Sequence, residues 1–249
     1  MPKYHYRYRK PQRRHFPVRL ALLLLALLAL CIYPFIEART LTVDEHTVQV
    51  ANLPANLKNL KIVYATDIHQ GRWFSQSRVN ELVKTINGLS ADLVILGGDY
   101  AEDSDGAIEF FENLPSISAR IGVYAVLGNH DRTEPESNLS VLIGTIKGRG
   151  IIPLVNNVAA VKRGQTYFYI AGVDDYYNGY PDVEGVASQV KASDFVIFAG
   201  HTPTCCPICS RPRAATATTT GSIWRCSVTP TADRSAFSAN RPSSISRRT

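Results

Sequence analysis

From Thr204 to Thr249 the chain contains no leucine and a single acidic residue, Asp233. Internal repeats and collagen-like periods are absent throughout, which excludes solenoid and fibrous architectures. Cysteine is scarce: of five, four fall after Thr204 and the fifth, Cys31, lies in an apolar run. The central body therefore has no disulfide framework, and cysteine usage says little about compartment. A basic patch on the body is also missing. The 249-residue chain has a formal charge of +6, but seven Lys/Arg and no acid lie in its first 36 residues, and seven Arg with one acid in its last 46. The middle keeps 13 basic and 20 acidic residues, a net of −7. That balance excludes the electrostatic footprint of a nucleic-acid binder.

What is present begins with a targeting element. Residues 1–19 are basic and aromatic, and 20–36 are uncharged until Glu37, with Leu20–Phe35 dominated by leucine. Sixteen residues fall slightly short of a bilayer span, although Phe16–Val18 and Ile36 can extend it while Arg19 snorkels. The flanking positive charges predict a cytoplasmic N-terminus and an extracytoplasmic body. An uncleaved anchor is favoured over a cleaved signal, because Ile36-Glu37-Ala38 is a poor small-x-small site. Arg13-Arg14-His15-Phe16 also resembles a twin-arginine export address.

From about Leu41 the pattern is that of an α/β domain. Leu41–Val43 and Thr47–Val50 predict a short hairpin. Leu60–Thr66, Leu93–Leu96, Ile121–Leu127, Tyr167–Val173 and Asp194–Ala199 predict strands. Helices are predicted at Arg78–Asn87, Ala107–Leu114, Leu139–Ile146 and Val183–Lys191. Strands alternating with helices argue for a sheet whose ligands gather at the strand carboxyl ends.

Four motifs lie at those ends: Asp67-Ile68-His69, Gly97-Gly98-Asp99, Gly128-Asn129-His130-Asp131 and Gly200-His201. Any one of them reads equally well as a strand-to-loop turn, since Asp, Asn and Gly are turn residues. Together they supply oxygen and imidazole nitrogen ligands from successive strands, the donor set that holds paired divalent cations over a phosphate ester. Three of the six histidines fall in these motifs. Tyr176 and Tyr177, in Asp174-Asp175-Tyr176-Tyr177-Asn178-Gly179, read as part of a Gly-terminated surface loop or as a groove wall.

These motifs resemble those of the calcineurin-like metallophosphoesterases, specifically the membrane-anchored or exported bacterial phosphodiesterases, over about Leu41 to Pro203. The resemblance implies a four-layer αββα sandwich with two divalent metal ions at one edge. It implies that Asp67 and His69 bind the first ion, that Asp99 bridges both, and that Asn129 and His201 bind the second. It makes His130 the general acid or transition-state stabiliser, oriented by Asp131. The donor set suits Mn, Fe, Zn or Co better than Ca. The implied reaction is hydrolysis of a phosphomono- or diester by a water shared between the ions. A phospholipid, another lipid-linked phosphate or a UDP-2,3-diacylglucosamine-type pyrophosphate is the expected substrate.

The family pattern also needs a Gly-His-Thr-His-Gly-Gly run after His201, and none is present. The segment 204–249 reads as a low-complexity tail, as a zinc site at Cys206-Pro207-Ile208-Cys209, or as a frameshift product. The genetic code favours the last. Regrouping each third base with the next two lets Ser227 through Ser235 read Gly-His-Thr-His-Gly-Gly-Gln-Val. The same regrouping lets Thr204 through Ser210 read Leu-Leu-Pro-Asp-Leu-Leu. The expected domain, 41–203, is then C-terminally incomplete, with one histidine lost from each metal, strands missing and a sheet edge open. The rival to an enzyme is a non-catalytic, membrane-tethered binding protein on a degenerate phosphoesterase fold. His130 and Asp131 beside the ligands speak against it.

Overall fold

The computed structural model describes residues 18–37, 40–50, 53–133, 136–202, 223–228 and 237–238. Two compact units separate at His46 and Thr47. The first contains helix α1, Val18–Glu37, with Pro34 inside it. Eight of its leucines between Leu20 and Leu30 are exposed. Among the described residues no helix is long and apolar enough to cross a membrane. The basic segment 1–17 lies outside them.

The second unit opens with three βα repeats. Strand β1 (Ile62–Ala65) leads to helix α2 (Gln76–Gly88), β2 (Leu93–Leu96) to α3 (Ser104–Asn113), and β3 (Gly122–Ala125) to α4 (Glu136–Gly148). With β4 (Ile152–Pro153) these strands form a parallel sheet in the order β1-β2-β3-β4. The chain then enters a second sheet through the antiparallel hairpin β5 (Asn157–Arg163) and β6 (Thr166–Gly172). Helix α5 (Val183–Ser188) returns it to β7 (Val196–Ala199), which runs parallel to β6. Asp103 and Asp182 cap α3 and α5, each accepting a hydrogen bond from a first-turn glycine amide at 2.8 Å.

Side-chain alternation along the strands builds the layers. In β2, Val94 and Leu96 face α2–α4, packing with Val79, Val83, Phe110, Phe111 and Leu142. Leu93 and Ile95 face the other way, onto Phe168, Ile170 and Ile197 of the second sheet. That sheet's outer face carries Ala171, Val196 and Phe198 beneath Val186 of α5. Three apolar seams between four layers make an α/β, αββα sandwich, as the sequence predicted. At the amino end of β2 the buried Asp92 ties the sheets together. It accepts from the Lys61 amide (3.0 Å) and pairs with Arg120 (2.8 Å) and with Arg163 of β5 (3.4 Å).

Three expectations change. Residues 41–50 form no hairpin and are almost all exposed; with no third strand or helix to pack on, such a hairpin has too little to bury. Strands β4 and β5 were not foreseen, because β4 is two residues long and β5 carries polar residues within its apolar pattern. The tail is not wholly without strands: β8 (Ile223–Val228) pairs antiparallel with β7, and β9 (Phe237–Ser238) with β8. Ile, Trp and Val in β8 carry the β-propensity responsible, and the edge of β7 is thereby covered. The rest of 204–249, including the Cys206–Cys209 spacing, lies outside the described residues.

Candidate metal centre

Parallel pairing continues past the strand ends and brings the motif loops together. The Asp67 amide donates to Gly98 O (3.0 Å), the His69 amide to Asp99 O (3.0 Å) and the Gln70 amide to Tyr100 O (2.8 Å). Glycine makes the next contact possible. A Cβ on Gly98, whose φ is +96°, would lie 2.5 Å from Gly128 N, and one on Gly128 would lie 2.7 Å from Asp99 N. The loops after β2 and β3 therefore touch backbone to backbone. Asp67, His69 and Asp99 all hold left-handed backbone, with φ of 54°, 46° and 55°. Three such non-glycine residues in one loop pair, at a cost on the order of 1–3 kcal/mol each, mark a site where geometry outweighs local preference.

Asp99 is the centre of the cluster and is buried. Its Oδ2 lies 3.3 Å from His201 Nε2 and 3.6 Å from His69 Nε2, while its Oδ1 accepts the His130 amide at 3.0 Å. Ligand atoms of His69, Asp99 and His130 converge within 4.8 Å of one another, as do those of Asp67, Asp99 and His201. The structure thus brings together the ligand atoms of five of the seven residues singled out in the sequence, with Asp99 common to both groups. Asp67 and His201 fall in one group, and His69 and His130 in the other. Asn129 stands in the same loop, immediately before His130. Its carbonyl accepts a hydrogen bond from Asn178 Nδ2 at 2.8 Å.

The imidazoles are held by their far nitrogens. His201 Nδ1 lies 2.9 Å from Gly97 O, and His130 Nδ1 lies 2.8 Å from Glu102 O. A carbonyl only accepts, so both Nδ1 atoms carry a proton, and each Nε2 is the nitrogen that would take a cation on deprotonation or carry a transferable proton. Asp131 does not touch the His130 ring. Its Oδ2 accepts the amides of Asp99 (2.8 Å) and Gly128 (2.8 Å), and its Oδ1 accepts that of Tyr100 (3.0 Å). The partner orienting His130 is the Glu102 carbonyl, a backbone atom that no sequence pattern announces.

Charge is tuned accordingly. Burial acts to raise Asp99, but hydrogen bonds from His201 and the His130 amide, with both imidazole charges, hold its carboxyl below the ordinary range. Burial acts to lower His201, yet its contact with Asp99 and the Gly97 carbonyl bring it up to about 9. His130 is raised, first by the Glu102 carbonyl and then, against some burial, by Asp99. Burial acts to raise Asp131, and its three amide hydrogen bonds act to lower it by favouring the carboxylate. Beneath the centre, burial pushes Tyr64 up to about 12; a Cβ on Gly97 would meet its hydroxyl.

Further residues frame the site. Arg132 pairs with Asp174 at 3.1 Å, both buried. Asp174 also accepts from the Tyr180 amide, and Asp175 from the amides of Tyr177 and Asn178. The loop beyond β6 is thereby fixed beside the Gly128–Asp131 loop, with Tyr176 and Tyr177 exposed on it. In the sequence Asp174 and Asp175 look like ordinary loop residues; only their burial marks them out.

Two carboxylates and three imidazoles around one shared oxygen pair fit divalent transition-metal cations, since carboxylate and imidazole are their customary ligands. The chain is similar to proteins with metallophosphoesterase and phosphodiesterase names. A transmembrane protein with metallophosphoesterase domain from Danio rerio is 28% identical over 196 residues, covering 74% of this chain and 44% of its own length. An uncharacterized metallophosphoesterase of Bacillus subtilis is 25% identical, covering 68% and 60%. A phosphodiesterase of Escherichia coli is 26% identical, covering 50% and 47%. The chain thus spans less than two thirds of each of these relatives. The family model for calcineurin-like phosphoesterases matches residues 60–215, most of the chain's α/β body, and the chain belongs to that family of hydrolases.

Proposed function

We propose that this protein hydrolyses a phosphomono- or diester with the help of two divalent cations held around Asp99. The observation that carries the reading is the convergence of His69, His130, His201 and Asp67 on the buried Asp99 carboxylate. Asp67, His69, Asp99, Asn129 and His201 are the proposed ligands. When bound, the cations would neutralise phosphoryl oxygens and acidify a water. The chain's own groups supply the rest. Asp99 would be shared by both ions, and neutral Asn129 would limit negative charge facing an anionic substrate. His130, raised in pKa and anchored through Nδ1, can deliver a proton from Nε2 to the leaving oxygen.

The segment after Pro203 is, in this reading, translated out of frame, so that each cation lacks one histidine and the chain as written is impaired. Membrane attachment through the N-terminal segment is the second part. It is supported by the leucine run, the flanking basic residues and the name of the Danio rerio relative. A substrate at the membrane, such as a lipid-linked phosphate, follows from that attachment. The test is hydrolysis of bis-p-nitrophenyl phosphate with Mn²⁺ by this chain and by a frame-restored chain. The proposal expects activity abolished by chelation in the restored chain and much weaker activity here. Equal rates in both would remove the tail argument, and inactivity of both would remove the phosphoesterase reading.

A further inference from the structure

We propose that Asp131 is a positioning residue whose carboxylate clamps the two metal-binding loops together, fixing Asp99 and Asn129 rather than orienting His130. The inference rests on the metal reading of the site. Although adjacent to His130 in sequence, Asp131 turns its side chain into the protein, where it is 1% exposed. Three backbone amides converge on it. Two, from Asp99 and Tyr100, belong to the loop after β2; the third, from Gly128, belongs to the loop after β3.

The chemistry of this clamp is specific. All three partners are donors, and only a carboxylate accepts at both of its oxygens. An asparagine would set its NH₂ against at least one N–H in either orientation. The anchored amides are those on each side of the Asp99 α-carbon, whose φ of 55° is the strained conformation that carries its side chain into the centre. Strain of that kind persists only where surroundings over-determine it. In return, the Asp99 carboxylate accepts the His130 amide, closing a reciprocal pair of contacts between the same two loops. Asn129 lies between Gly128, which Asp131 holds, and His130, which Asp99 holds. Both proposed ligands are therefore set by one buried group that is not itself in the proposed ligand set.

A merely structural aspartate would lower stability without touching metal affinity, so the test separates the two. Mn²⁺ affinity and melting temperature are measured for the full chain, for Asp131→Asn, for Asp131→Ala, and for Leu142→Ala, a fully buried residue of α4 away from the loops. Hydrogen exchange at the Asp99, Tyr100 and Gly128 amides is followed in parallel. Loss of a group that orients ligands costs about 10–100-fold in metal affinity. That loss is expected in both Asp131 variants, with faster exchange at the three amides. Leu142→Ala should lower the melting temperature at least as much while leaving Mn²⁺ affinity within twofold. If Asp131→Ala does not fold, the near-isosteric Asp131→Asn decides. Unchanged affinity in Asp131→Asn, or an equal loss in Leu142→Ala, would overturn the clamp and leave the metal reading standing. Failure of both the parent chain and the frame-restored chain to bind Mn²⁺ would overturn both.

Discussion

Substituting Gly128 by alanine should damage the centre while leaving its chemistry nominally intact. A Cβ there would run into Asp99 Oδ1 and lie 2.7 Å from Asp99 N and 2.9 Å from Asp99 Cγ. The backbone nitrogen cannot swing aside as a flexible side-chain end can, so the loops after β2 and β3 must part. Overpacking of this kind costs about 1–3 kcal/mol. At roughly 2–4 °C per kcal/mol for a domain of this size, the melting temperature should fall about 2–12 °C. Because the displaced group is the shared carboxylate, Mn²⁺ affinity should also drop by about tenfold or more. Gly144 provides the contrast. It lies inside α4, and a Cβ there meets nothing within 4 Å. Alanine at 144 removes a helix-interior glycine and should stabilise by about 0.5–1 kcal/mol without altering metal affinity. Differential scanning fluorimetry with and without Mn²⁺ measures both effects. An unchanged melting temperature and Mn²⁺ affinity in Gly128→Ala would refute the backbone-to-backbone contact and the reasoning built on it.

Three further outcomes are expected. His201 is protonated below about pH 9 in the metal-free protein and must lose that proton to bind a cation, so Mn²⁺ affinity should rise about tenfold per pH unit toward 9 and then level; titrations at several pH values check the slope, and a flat profile would exclude His201 as a ligand. Asp92→Asn should cost about 1–3 kcal/mol at neutral pH, because two arginines and an amide lose a charged acceptor. The Asp92 carboxyl sits below its ordinary value, against the cost of its burial, so this stability is present above that value and is lost as pH falls through the lowered one. Urea melts of parent and variant should therefore converge in strong acid. In the frame-restored chain, His130→Gln should reduce kcat by about 10²–10⁴-fold with little change in bound metal; a proportional loss of metal would make His130 a ligand instead.

The α/β body was legible because buried strands and amphipathic helices leave strong periods. Leu93–Leu96 matched β2 residue for residue, and the predicted helices fell on α2 to α5. The candidate site was legible for a related reason: each motif directly follows a strand, and parallel register carries strand ends to one edge. What stayed hidden depends on contacts distant in sequence. That Asp131 would bond the amides of residues 99, 100 and 128 instead of its neighbour's ring is decided by loop packing. The Glu102 carbonyl on His130 and the burial of Asp174 against Arg132 are of the same kind. Strand β4 was invisible because two residues carry no period, and β8 because its few apolar residues lie inside the leucine-free tail.

The central claim, a two-cation centre organised by Asp99, is tested most directly by counting divalent ions per chain. Elemental analysis after Mn²⁺ loading and desalting would compare this chain, the frame-restored chain and Asp99→Ala in the restored background. The account predicts two ions per restored chain, fewer for this chain and none retained by Asp99→Ala. Stoichiometric Mn²⁺ in the Asp99→Ala variant, or none in the restored chain, would contradict it.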